Sequence, residues 1–194
     1  MLNLPNFLTL IRIVAIPFFL VLLSLNLYLE ALIVFVLSAL TDGLDGAIAR
    51  MAKQETALGA RLDPVADKLL VMTSFVMLGV IGGIPLWLVV LVVSRDLIIL
   101  LGYATIYLLV EERLEAKPTL MGKANTVLQL VTVAFVLAFL YDPSLPLPRL
   151  GEPLFLVTGA ATIISGCQYI YRGLAWLQKK APSGGRVTVI QKDK

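Results

Sequence analysis

The sequence has no histidine, a single cysteine and few charges, with 16 basic and 13 acidic residues among 194. Without histidine, proton transfer falls to a carboxylate, lysine, tyrosine or water, and a metal must be held by oxygen ligands. The lone cysteine, Cys167, excludes an intramolecular disulfide and a cysteine metal cluster. It is expected to be a small core residue. The shortage of charge is matched by an excess of apolar residues, 59% of the chain, and a mean hydropathy of +0.91. That composition places the chain among integral membrane proteins. The formal net charge is only +3, and the basic residues flank apolar runs. They read as topology signals, not as a nucleic-acid footprint.

A membrane-spanning helix needs about 20 mostly apolar residues, and six such segments fit along the sequence. They run from about Ile11 to Leu29, Ala31 to Arg50, Leu62 to Val80, past Pro85 to Val110, Ala124 to Tyr141, and Leu154 to Tyr171. Pro5, followed by Phe7, Leu8, Ile11 and Val14 at helical spacing, suggests a short interfacial helix running into the first span. With Arg12 as its one basic residue and no small-x-small site, this opening does not read as a cleaved signal peptide. The expected fold is therefore all-α: an integral membrane bundle of six transmembrane helices with an N-terminal interfacial helix. Residues 1–180 form one membrane domain, and 181–194 form a basic tail. Arg50, Lys53, Arg61, Arg113, Lys117, Lys123, Arg172, Lys179, Lys180 and Arg186 fall on one side, against Arg149 on the other. Both termini are thus expected in the cytoplasm. Tyr169, Tyr171, Trp176 and Trp87 are expected to be aromatic-belt residues.

Against this apolar background, Thr41 to Lys68 carries Asp42, Asp45, Asp63 and Asp67. The spacings i,i+3 and i,i+4 put each pair on one helix face. A short turn between antiparallel helices would bring the two pairs together. Clustered carboxylates cannot all ionise unless cations sit among them, and oxygen ligands favour Mg²⁺ or Mn²⁺. Two such ions share bridging carboxylates when about 3.5–4 Å apart. Gly46, Ala49, Gly59 and Ala60 leave space between the helices, and Arg50 and Arg61 offer planar forks for phosphate oxygens. Together these features describe a pyrophosphate site. The rival readings are helix capping with local ion pairs, a membrane scaffold with vestigial acids, or a divalent cation transporter.

The pattern Asp42-x2-Asp45-Gly46-x2-Ala49-Arg50-x8-Gly59-x3-Asp63-x3-Asp67 resembles, without departure, the signature of the CDP-alcohol phosphotransferases. The likeness extends to PNFLTLIR near the start and QYIYRG near the end, which look like the phosphatidylglycerophosphate synthase branch. It implies a membrane enzyme, typically a homodimer, that moves the phosphatidyl group of CDP-diacylglycerol to an alcohol and releases CMP. By position, the four aspartates would hold two divalent cations, and Asp67 would also act as general base. Gly46, Ala49, Arg50 and Gly59 would accommodate CDP and its phosphates. The implied setting is a bacterial cell membrane, with the active site cytoplasmic.

The acceptor depends on residues outside that signature. Arg95, deep in the fourth span, is expected to face a polar cavity, since residues as close as Arg95 and Asp96 do not face each other on a helix. Lys123, Asn125 and Arg172 complete the expected acceptor pocket. Phosphatidylglycerophosphate synthases usually carry a Leu-Arg pair after the span-four arginine and Gly-Lys-x-Lys-Thr at span five. Here the residues are Leu101-Gly102-Tyr103 and Gly122-Lys123-Ala124-Asn125-Thr126, two cations fewer. SRDLIILL and KPTLMGKANTVLQL look instead like cardiolipin synthases of the mitochondrial type. The sequence therefore favours phosphatidylglycerol as acceptor, with glycerol 3-phosphate as the alternative.

Overall fold

The computed structural model describes residues 4–52, 59–110, 120–145 and 147–180. Side chains are described for 13–41, 68–102, 120–145, 149–175 and 178. Every regular element among them is a helix: α1 Leu4–Ser24, α2 Tyr28–Ala52, α3 Gly59–Val80, α4 Leu86–Val110, α5 Leu120–Tyr141 and α6 Leu147–Lys180. The expected basic tail, residues 181–194, lies outside the described residues.

The expected interfacial segment runs without a break into the first span. Leu4–Ser24 is one continuous helix, because Pro5 sits in its first turn, where no helical donor is required and the ring's fixed φ suits the start. The last helix is also longer than expected. It begins at Leu147 and runs through Pro153, which removes one backbone bond but falls within the first two turns.

Short turns set the topology. After α1 the chain closes through Leu27 N–H to the Leu22 carbonyl at 2.9 Å, with Asn26 left-handed at φ 59°. Asparagine tolerates that conformation better than most residues, and the Tyr28 hydroxyl donates to its Oδ1 at 2.7 Å. After α3, Gly82 takes φ 78° and the Gly83 N–H reaches the Leu78 carbonyl at 2.8 Å, a helix ending that favours glycine. After α5, the Ser144 N–H donates to the Asp142 carboxylate at 3.0 Å, and bonds to Ser144 hold that exposed carboxyl below its ordinary range.

Helix α3 packs against α1, α4 and α5, while α5 also packs against α2 and α6, and α4 against α6. The apolar core joins Phe19 of α1 and Phe35 of α2, whose rings lie 5.9 Å apart, to Phe75, Leu78, Leu88, Val92, Val133 and Leu137. Close approaches leave no room for a side chain at Gly79, Gly83 and Gly159. A Cβ on Gly79 would lie 2.7 Å from Val89 Cγ2, and one on Gly159 would lie 2.7 Å from the Trp87 ring. Trp87 thus packs on α6 while remaining half exposed. Tyr169 likewise reaches inward, its hydroxyl donating to the Ile99 carbonyl at 3.4 Å, whereas Tyr171 is exposed.

The exterior is apolar, unlike that of a water-soluble bundle, and a set of polar residues lies buried beside the apolar core. Val14, Val80, Leu86, Val90, Leu101, Leu120 and Leu156 are exposed, while Ser74, Asp96, Asn125, Gln129, Thr132 and Thr158 are fully buried. An apolar exterior over a hydrogen-bonded polar seam fits insertion into hydrocarbon. Among the described residues, Leu120–Tyr141 and Arg149–Ala175 are long and apolar enough to cross a membrane.

Candidate active site

The acidic signature lies on two consecutive helices. Asp42, Asp45, Gly46, Ala49 and Arg50 occupy the last turns of α2, while Gly59 opens α3 and Asp63 and Asp67 follow within its first three turns. Because both segments are helical, Asp42 shares a face with Asp45, and Asp63 with Asp67. Both helices pack against α1 and against α5. The side chains of residues 42–67, including Arg61, lie outside those described. The donor set is all carboxylate, which suits a hard divalent cation.

The described part of the site begins at the next residue, Lys68. Its Nζ lies 3.4 Å from Oδ1 of Asp96 on α4. That same oxygen accepts a bond from Arg95 Nη1, and Arg95 Nη2 donates to Ser165 Oγ on α6 at 2.6 Å. The expectation that Arg95 and Asp96 would not pair is therefore overturned. Adjacent Cβ atoms do point apart, but the arginine stem is long enough to curl its guanidinium back along the helix. The Arg95 stem runs past Gly166, where a Cβ would lie 3.4 Å from its Cγ. Asp96 is fully buried, Arg95 is nearly so, and Lys68 is partly buried. Isolated buried charges are costly, so the three hold one another in place.

One turn along α6, the Thr162 hydroxyl donates to Asn125 Oδ1 of α5 at 2.9 Å. A further turn along, the Thr132 and Thr158 hydroxyls pair at 2.8 Å. Such bonds between membrane helices contribute about 0.6 kcal/mol each on average. Gln129 lies between Asn125 and Thr132 on the same buried face of α5.

The structure brings some expected acceptor residues together and separates others. Arg95 lines a cleft of about 170 Å³ between α4 and α6, with Leu91, Ser94, Ile98, Thr162 and Ile163. Asn125 joins Arg95 in the polar seam through Thr162 and Ser165. Lys123 and Arg172 are exposed and do not line that cleft. Cys167 is also exposed, at the cleft's edge, and is not a core residue. A helical count explains the difference, because Cys167 is two residues from Ser165 and so turns away from the face that meets Arg95. Gln129, Thr162 and Ser165 carry no signal within the signature, and Lys68 is expected from the sequence only as an ion-pair partner of the aspartates. A signal existed for α6: Thr158, Thr162 and Ser165 recur at helical spacing in an otherwise apolar run.

Comparison with known proteins identifies the family. Residues 2–166 match the family model described as CDP-alcohol phosphatidyltransferase. The chain is 32% identical over 178 residues to a probable phosphatidylglycerophosphate synthase of Mycobacterium tuberculosis (strain H37Rv), covering 89% of this chain and 82% of that protein. It is 34% identical over 177 residues to the CDP-diacylglycerol--glycerol-3-phosphate 3-phosphatidyltransferase of Salmonella typhimurium, covering 87% and 93%. The same figures hold for that enzyme in Shigella flexneri. With a family model spanning most of its length and full-length relatives above 30% identity, this chain belongs to the CDP-alcohol phosphatidyltransferase family.

Proposed function

We propose that this protein transfers the phosphatidyl group of CDP-diacylglycerol to the terminal hydroxyl of glycerol 3-phosphate, releasing CMP. The acceptor hydroxyl attacks the phosphorus that carries the diacylglycerol. A new P–O bond forms as the bond from that phosphorus to the pyrophosphate bridging oxygen breaks, and CMP leaves with the electron pair. Asp67 takes the hydroxyl proton, in a chain that has no histidine to do so. Asp42, Asp45, Asp63 and Asp67 would hold two divalent cations, Mg²⁺ or Mn²⁺. When bound, these ions neutralise the pyrophosphate and the departing CMP. Gly46, Ala49, Arg50 and Gly59 accommodate the nucleotide and its phosphates, and Arg95, Lys123, Asn125 and Arg172 serve the acceptor.

The observation that carries the choice of acceptor is the cluster of Lys68, Arg95 and Asp96, in which two cations share one carboxylate oxygen. The sequence count that favoured phosphatidylglycerol left out Lys68. With it, the described side chains of the cluster hold one positive charge in excess, which suits a phosphomonoester of nearly two negative charges better than a phosphodiester of one. The names of the full-length relatives support the same acceptor.

The setting follows from the same reading. Six spans, one domain over residues 1–180, both termini and the active site on the cytoplasmic face of a bacterial cell membrane, and a homodimer accord with the charge placement and the family. Chelation of divalent ions is expected to stop CMP release from CDP-diacylglycerol, and added Mg²⁺ or Mn²⁺ to restore it. Undiminished release after chelation would remove the metal roles of the four aspartates.

A further inference from the structure

We propose that Gln129, with Asn125 beside it, determines specificity by reading the central hydroxyl of the acceptor's glycerol unit, an inference that rests on the transferase reading above. Gln129 is fully buried, yet neither its Oε1 nor its Nε2 has a hydrogen-bond partner, and the Nδ2 of equally buried Asn125 has none either. A buried amide without partners costs roughly 1–3 kcal/mol in proteins, and each of these could be exchanged for an aliphatic residue if packing were its whole role. Asn125 and Gln129 share the buried face of α5. Residues four apart on a helix lie on one face, with Cβ atoms about 5–6 Å apart.

Their placement is that of a floor beneath the charged cluster. Ser165, Thr162 and Thr158 step along α6 by three and then four residues, about 4.5 Å and 6 Å of helix rise. They bond in turn to Arg95, Asn125 and Thr132. Asn125 therefore lies about one turn from the Lys68, Arg95 and Asp96 layer, and Gln129 lies beyond it. Helix α5 packs directly on α2 and α3, which carry the four aspartates. A glycerol phosphate whose phosphate meets the cations extends its carbons along this seam. A hydroxyl is one donor and one acceptor: Gln129 Oε1 accepts the central O–H while Asn125 Nδ2 donates to the same oxygen.

The test compares CMP release with glycerol 3-phosphate and with 3-hydroxypropyl phosphate, which lacks only the central hydroxyl. Sites built to pair a hydroxyl reject analogues without it strongly, so wild-type kcat/KM is expected to be at least ~100-fold lower for the analogue. Gln129→Met, similar in volume, is expected to lower kcat/KM for glycerol 3-phosphate about 100-fold and to change the analogue's less than about threefold. Retained turnover of the analogue also reports that the variant is folded. Equal use of both acceptors by the wild type overturns the inference without any variant. A parallel loss on both acceptors in Gln129→Met, or no loss on either, also overturns it by reducing Gln129 to a structural or water-binding role. No CMP release by the wild type with either glycerol 3-phosphate or phosphatidylglycerol would instead overturn the transferase reading, and this inference with it.

Discussion

Asp67→Asn is expected to lower CMP release about 1,000-fold while leaving thermal stability and metal-dependent binding of CDP-diacylglycerol largely intact. General base catalysis contributes about 10²–10⁴-fold, and with no histidine in the chain the position has no nearby substitute of suitable basicity. Asparagine keeps the shape and one carbonyl oxygen, so a metal site held by three other aspartates loses affinity but not its framework. The proposal gives Asp67 two roles that pull in opposite directions, since metal contact lowers a carboxylate's proton affinity while a base needs enough of it. The pH dependence of the residual rate separates them. If Asp67 is the base, the acidic limb of the wild-type profile flattens in the variant. A variant that keeps near-normal turnover with an unchanged limb would remove Asp67 from proton transfer.

The second large effect is on stability. Asp96→Asn is expected to destabilise the protein by about 3–5 kcal/mol, because removing one partner of a buried ion cluster leaves the others uncompensated. Here two cations, Lys68 and Arg95, depend on the same buried oxygen. Thermal unfolding in detergent micelles reads the loss directly. Adding Lys68→Met to Asp96→Asn is expected to recover part of it, since the double variant has one uncompensated cation fewer. Single and double variants of equal stability would show that Lys68 is neutralised elsewhere and would weaken the charge argument for the acceptor.

The fold was largely legible because hydrophobic length and turn chemistry agree. Gly82 with Gly83 and Pro85 marks the α3–α4 turn where it occurs. The last span was expected to start at Leu154, just after Pro153, whereas α6 begins at Leu147. Pro5 starts a helix and Pro153 is absorbed by one, and sequence spacing does not distinguish a first-turn proline from an interior one. The acidic signature was legible for a different reason: carboxylates in an apolar segment are expensive enough to stand out. The charged cluster was not. Lys68 looked like the end of the signature, and Arg95 and Asp96 looked unable to meet. Only packing of α3, α4 and α6 shows that one carboxylate serves two cations on different helices. Gln129 was hidden in the same way, since its significance lies in the partners it lacks.

The most direct measurement of the central claim is product identity from one reaction. Purified protein in mixed micelles receives CDP-diacylglycerol, Mg²⁺, and equal amounts of glycerol 3-phosphate and phosphatidylglycerol. CMP and lipid products are then quantified together. The expected result is CMP released in equal amount with phosphatidylglycerophosphate. CMP released with cardiolipin instead would contradict the choice of acceptor, and no CMP with either would contradict the transferase reading itself.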